Sequence, residues 1–370
     1  MIHTLDTKFD PSSNNFDLIR LGAALIVVLS HSYSLVGAPW EPISRLFNYG
    51  YGGTLAVAVF FVISGFLIAR SAQLQELSIY IRSRLLRIIP ALILVTLIEA
   101  FVIAPFFYEG ESLRYYFQVD APRHLLNIFV FGEDPWMANV FSKLPWPYVN
   151  GSLWSLPVES LFYILLPFLM LVAAGGRRWV LLAIFVASLF AEPIARHYGL
   201  NESQRGIFLF KTVSLFQTTQ FFSYFMAGVV AWSYRDRITW NKGYFLLCTL
   251  ILFAAQNSLT APLALKLCLP YIVLFVGLYN GVGTKLKRKI GDLSYGVYLI
   301  GYPVINSIIS LGAMKLSPEI VFGIAASVSL IFAWFSWHLV ERPALKLKSK
   351  LAPKPPLSEP LRNKASAEIA

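Results

Sequence analysis

Residues 17–36 read DLIRLGAALIVVLSHSYSLV, an almost unbroken apolar run that nevertheless holds an arginine at position 20 and a histidine at position 31. About 20 such residues, rising 1.5 Å each, cross the hydrocarbon core of a bilayer, so the run predicts a transmembrane helix. Arg20 and His31 are eleven positions apart. At about 100° per residue this offset returns to within roughly 20° of the same helix face and separates the two side chains by roughly 16 Å along the axis. Both therefore look into one crevice, Arg20 near one membrane surface and His31 deep toward the other. An ionisable residue inside a span is costly and by default marks function. A plainer reading stands beside each: His31 as a hydrogen-bonded packing residue, and Arg20 as an anchor on the basic side.

Outward from this helix, further apolar runs fall at about 52–70, 86–107, 153–174, 178–194, 213–233, 243–258, 263–281, 292–312 and 318–339. The expectation is an all-α, polytopic transmembrane bundle of about ten spans. Composition agrees, since 370 residues that are 56% hydrophobic and 14% charged, with a mean hydropathy of +0.61, carry more apolar surface than a soluble core can hide. An even number of spans puts both termini on one side, and that side receives 22 of the 31 Lys and Arg residues. Basic loops face the cytoplasm, which predicts an N-in, C-in orientation. The same rule accounts for the net charge of +11 without nucleic acid, for which no stacking platform exists between the basic clusters. Cys248 and Cys268 both lie in apolar runs, so neither a disulfide framework nor a metal site is expected. The polar N-terminal residues show no cleavable signal. Two segments stand outside the membrane. The loop at about 108–152, rich in Pro, Tyr and Trp, is long enough to fold over a site. Residues 347–370 read as a disordered tail behind a membrane domain at 1–346.

Between the second and third runs, residues 80–90 read YIRSRLLRIIP. Arg84 and Arg87, at i and i+3 on a helix start, are neighbours, with Arg82 close by. Guanidinium forks bind phosphate oxygens bidentately and stay charged, although such a pair also serves simply as a topology signal. Arginines at one face and an imidazole far up the membrane suit a long donor with a phosphorylated head, and coenzyme A is one. In the fourth run Glu159 lies near the depth inferred for His31. There a carboxylate would fix the imidazole tautomer and balance its charge, or it would merely bond a neighbouring helix. Glu99 reads as a structural pairing residue.

Several of these segments occur in a characteristic order. They are FDLIRLGAALIVVLSH at 16–31, FFVISGFLIARS at 60–71, RSRLLRIIPAL at 82–92, NGSLWSLPVESLFYILLP at 150–167, LSYGVYLIGYP at 293–303 and VERP at 340–343. Together they resemble the acyltransferase-3 family of integral-membrane acyltransferases, which includes O-antigen, exopolysaccharide and Nod-factor acetylases. The resemblance extends to about residue 346. It implies a ten-span catalytic bundle in a bacterial inner membrane, a cytoplasmic acyl-CoA donor, by default acetyl-CoA, and a cell-surface or lipid-linked saccharide as outward acceptor. It also implies that His31 is the catalytic residue, with Arg20, Arg84 and Arg87 supporting donor binding or the site; the residue pattern itself adds Glu159 beside the base and Arg82 beside the donor. Membrane lipid is the surrounding partner, and no metal is implied. One departure is Gly301, where many members have a histidine, so no role for a second histidine there carries over. Longer members append a soluble esterase-like domain; this chain stops short of one, so acceptor transfer is expected within the bundle or with a partner. A carrier or flippase also has ten spans and buried charges, but paired halves with discontinuous helices are not visible in the sequence.

Overall fold

The computed structural model describes residues 3–351 apart from 111, 133–135, 201–206, 211, 280–281 and 313–315. Each of the ten expected intervals is occupied by a helix: α1 (Phe16–Leu35), α2 (Gly52–Leu74), α3 (Leu77–Ile98), α4 (Ser155–Val172), α5 (Trp179–His197), α6 (Leu215–Ser233), α7 (Lys242–Ala255), α8 (Ala261–Gly277), α9 (Ser294–Ser310) and α10 (Pro318–Ser336). Six are long and apolar enough by themselves to cross a membrane, namely α1, α2, α3 continued to Phe106, α4, α5, and α10 continued to Leu347. A seventh arises only if α8 and the helix Val282–Ile290, bent by 58° from it, count as one span. The others deviate for visible reasons. Helices α7 and α9 have 14 and 17 residues, and α6 opens with Gln217, Thr218, Thr219 and Gln220.

Two prolines inside these helices create anchor points. Pro cannot donate to the carbonyl four residues back, and in lipid a freed carbonyl needs another donor. Pro167 in α4 frees the Tyr163 carbonyl, which accepts from the Tyr80 hydroxyl of α3 at 2.8 Å. Pro303 in α9 frees the Leu299 carbonyl, which accepts from the Asn150 side-chain amide at 2.8 Å. Each vacancy in a helical ladder thus ties two parts of the bundle together.

The centre of the bundle is the crossing of α2 and α6. A Cβ on Gly65 would lie 2.0 Å from the Phe225 carbonyl oxygen, and one on Gly228 would lie 2.2 Å from that of Val62. Small residues let helix backbones approach this closely, and dispersion rather than hydrophobic exclusion holds them in lipid. Phe61 stacks on Phe221 beside the crossing, with ring centroids 5.1 Å apart, and Phe162 of α4 closes on Phe225 at 5.1 Å.

The segment expected as a long outer loop folds into short helical turns between Leu113 and Gly132. It is fastened inward by His124, whose Nε2 lies 2.9 Å from Glu99 Oε2, both side chains fully buried. Glu99 also accepts from Asn150 Nδ2 at 2.6 Å, so its pairing is structural, as expected. A helix runs Arg342–Leu351, carrying residues 347–351, and positions 352–370 of the expected tail lie outside the described residues.

Substitution of Gly65 or Gly228 by Val should destabilise the fold by about 1–3 kcal/mol or more, lowering the unfolding midpoint in detergent. Gly22→Ala is the control. A Cβ there meets nothing within 4 Å, so its midpoint should hold or rise.

Candidate active site

A cavity of about 310 Å³ opens among α1, α2, α3, α4 and α9. Arg20, Arg84, Arg87, Glu159 and Asp292 lie on its wall beside Ser64, Tyr163 and Tyr298. The charged groups sort into two sets. Arg87 Nη2 reaches Asp292 Oδ2 at 2.8 Å and its Nη1 reaches Glu341 Oε2 at 3.5 Å. Arg20 approaches the same Asp292 oxygen at 3.5 Å and is bonded to Asp17 one helical turn before it. Asp292 also accepts from the Ser294 hydroxyl at 2.7 Å, and Glu341 from Ser336 at 3.0 Å. Arg20, Arg87 and these carboxylates form a lattice that joins α1, α3, the start of α9 and the end of α10.

Arg84 stands apart from that lattice. Among the described residues it forms no ion pair, its Nε has no hydrogen-bond partner, and its guanidinium sits 5.9 Å from the Tyr163 ring. Across from it Glu159 accepts from Ser64 at 3.0 Å and from Tyr163. Of the three arginines expected to hold a donor, Arg84 is therefore the cavity-facing cation with unused donor capacity. Arg87 is engaged by two carboxylates. Arg82 is exposed and is not among the residues lining the cavity, which corrects its placement beside the other two.

His31 lies toward the other end of α1, half-buried. Its Nδ1 is 3.0 Å from the Tyr51 hydroxyl, and its ring meets Tyr302 edge to face, with centroids 5.0 Å apart. The expected pairing with Glu159 is not formed. That carboxylate faces Ser64 and Tyr163, whereas the imidazole's hydrogen bond is to a phenol. Arg20 stands in the lattice at the opposite end of the helix from His31, bonded to Asp17 and beside Asp292.

Glu41 holds the Tyr51 backbone in place. Only 6% exposed, it accepts from Ser30 Oγ at 2.8 Å, from Ser44 N–H at 2.8 Å and from Gly52 N–H at 3.3 Å. One carboxylate thus clamps the residue before His31 to the residue after Tyr51. The sequence contains no pattern that marks Glu41 or Tyr51, since they fall in a short connection between spans. Asp292 and Glu341 do sit in quoted motifs, and a count of buried cations against anions would have pointed to them.

Helix α9 connects the two ends. Tyr298 lines the cavity, and Tyr302, one turn later, touches His31. The same face straps down the end of the outer loop: Tyr298 donates to Ser152 O at 2.7 Å, and Asn306 donates to Tyr148 O at 2.7 Å. Gly301 points elsewhere, toward α1, where a Cβ would lie 2.7 Å from Val28 Cγ2. A histidine at 301 would need α1 and α9 to part.

Arg87→Ala leaves two buried carboxylates without their partner and should cost about 3–5 kcal/mol, seen as a large fall in the unfolding midpoint. Arg84→Ala should shift the midpoint much less. Equal losses would contradict the separation of the two arginines.

No solved structure matches the chain. Residues 13–338 match the family described as an acyltransferase domain. The chain is 28% identical over 342 residues to the "O-acetyl transferase" of Shigella phage Sf6, covering 91% of this chain and 97% of that protein. It is 29% identical over 358 residues to "Nodulation protein 10" of Rhizobium leguminosarum bv. viciae, covering 91% and 95%. To the "Peptidoglycan O-acetyltransferase OatA" of Listeria monocytogenes it is 24% identical over 344 residues, covering 81% of this chain and 52% of that protein. A family match across residues 13–338, with two of these relatives aligned over nearly their whole length, places the chain in the acyltransferase-3 family of membrane enzymes.

Proposed function

We propose that the protein transfers an acyl group, acetyl by family, from cytoplasmic acyl-CoA to a hydroxyl of a cell-surface or lipid-linked saccharide. In this reading the ten helices all span a bacterial inner membrane, with both termini and the arginine cavity on the cytoplasmic side. The observation that carries it is Arg84, a cavity-facing guanidinium with an unpaired Nε, at the foot of a cavity whose upper wall leads by α9 to His31. Phosphate oxygens of the donor would complete the hydrogen bonding of Arg84. Its pantetheine arm is long enough to carry the thioester up the membrane toward the imidazole.

At the reacting end, the mechanism uses the tautomer in which His31 Nδ1–H donates to the Tyr51 oxygen, 3.0 Å away, and Nε2 keeps a free lone pair. Nε2 removes the proton from the acceptor hydroxyl as its oxygen bonds to the thioester carbonyl carbon. The tetrahedral intermediate then collapses with cleavage of the C–S bond, and the imidazolium returns the proton to the departing thiolate. General-base assistance of this kind contributes about 10²- to 10⁴-fold. Tyr51 serves as the orienting partner that Glu159 was expected to be. The tyrosine hydrogen bond holds the ring in place without adding a second ionised group in lipid.

His31→Ala should leave an inserted, folded protein that no longer incorporates radiolabelled acetyl groups from acetyl-CoA into glycan in inside-out vesicles; substantial residual transfer removes His31 from the mechanism. Tyr51→Phe should lower kcat about tenfold, as expected for one lost hydrogen bond. Arg84→Ala should raise the KM for acetyl-CoA with little change in kcat, and an unchanged KM rejects the donor assignment. Solute movement independent of acetyl-CoA would instead support a carrier.

A further inference from the structure

A second cavity, about 180 Å³, lies on the other side of α2 from the arginine lattice, among the start of α2, the end of α5 and the starts of α6 and α8. Its wall carries an ion triad. Lys266 Nζ is 2.7 Å from Glu192 Oε2, and Arg196 Nη2 is 2.7 Å from Glu192 Oε1. Lys266 is only 2% exposed and Glu192 7%. Burying the Lys266–Glu192 pair is expensive, and apolar residues of similar volume would hold these helices together at least as well. Packing alone does not account for it.

The rest of the wall is polar in a particular way. Asn48, Tyr49, Thr54 and Gln220 contribute amide, phenol and hydroxyl groups, which suit a ligand dense in hydroxyls. Two cations against one carboxylate leave a surplus positive charge. At about 180 Å³ the cavity is on the scale of one pyranose ring rather than an oligosaccharide.

The position of this cavity relative to His31 is what gives it meaning. Tyr49 lines the cavity and Tyr51 bonds the imidazole. Two residues along a chain span at most about 7 Å between Cα atoms. Asn48, in the left-handed region at φ 43°, turns the chain between the short helix Pro42–Phe47 and these two tyrosines. The cavity therefore opens at the His31 end of the bundle, away from the arginines.

We propose that this cavity is the acceptor subsite, and that it takes a sugar residue bearing an anionic substituent, a carboxylate or a phosphate. Arg196 and Lys266 meet the anion, and the amide and hydroxyl groups meet the ring. A neighbouring hydroxyl of the same saccharide is then presented past Tyr49 to His31. The assignment of an acceptor rests on the acyl-transfer reading above, but binding at the cavity is measurable without turnover.

The test uses the full chain purified in detergent, with thermal unfolding followed in millimolar glucuronate, glucose 1-phosphate or glucose at matched ionic strength. Glucuronate or glucose 1-phosphate should raise the midpoint more than glucose does, and the stronger of the two tells carboxylate from phosphate. Arg196→Gln, a change at a half-exposed residue that leaves the Lys266–Glu192 pair in place, should weaken the apparent affinity about tenfold, the size expected for one lost charged hydrogen bond. Arg84→Ala and His31→Ala should keep the shift. The proposal is overturned if none of the three sugars stabilises the protein, if glucose stabilises it as well as the anions, if the shift survives Arg196→Gln, or if it disappears in Arg84→Ala, which would place the anion in the other cavity. A protein that binds the anionic sugar at Arg196 yet transfers no acetyl group would instead count against the enzymatic reading and leave the subsite standing.

Discussion

A charge placed among lipid-spanning helices has no water to fall back on, and this constraint shapes nearly every polar contact in the protein. Arg20 and Arg87 are tolerated because Asp292 and Glu341 come to them from distant parts of the chain. Lys266 is tolerated because Glu192 reaches it. Glu99 is tolerated because His124 and Asn150 enclose it. Each pairing costs desolvation and returns positional certainty, since the partners come from different helices and can meet in only one arrangement. Arg84, with its Nε unsatisfied, is the deviation from this pattern that most suggests a ligand.

The fold was largely legible because lipid imposes a simple code. Apolar runs reveal helices, and all ten intervals were found to hold one, six of them long and apolar enough by themselves to cross a membrane. What was not legible was how helices rotate and cross. Depth along a helix can be counted, but azimuth depends on contacts such as Gly65 against Phe225, which no local pattern announces. Glu159, counted to the depth of His31, turns instead toward Ser64 and Tyr163 on the wall of the arginine cavity. Tyr51 and Glu41 escaped notice for a different reason. They occupy a short connection whose side chains acquire a role only when α1 and α2 lie side by side.

The two ends of the proposed reaction path are held by different chemistry. At the arginine end the structure depends on ionic bonds between helix starts. At the histidine end it uses tyrosines, an amide and a single capping carboxylate, so the imidazole has a hydrogen-bonding partner without a strong field. A base that must take up and release a proton within one turnover is better served by such a neighbour than by a fixed negative charge, which would hold the proton too firmly.

Helix α9 has a consequence that extends beyond catalysis. Its Tyr298, Tyr302 and Asn306 form one stripe that grips the end of the outer loop on one side and the imidazole on the other. In the proposed orientation, with the arginine end cytoplasmic, that loop would face the outside of the cell. Anything that pulls Tyr148 away from Asn306 also withdraws support from the ring beside His31. A large, charged molecule that never enters the bilayer, such as an antibody fragment raised against the loop, would then silence the proposed transfer from a donor on the far side of the membrane.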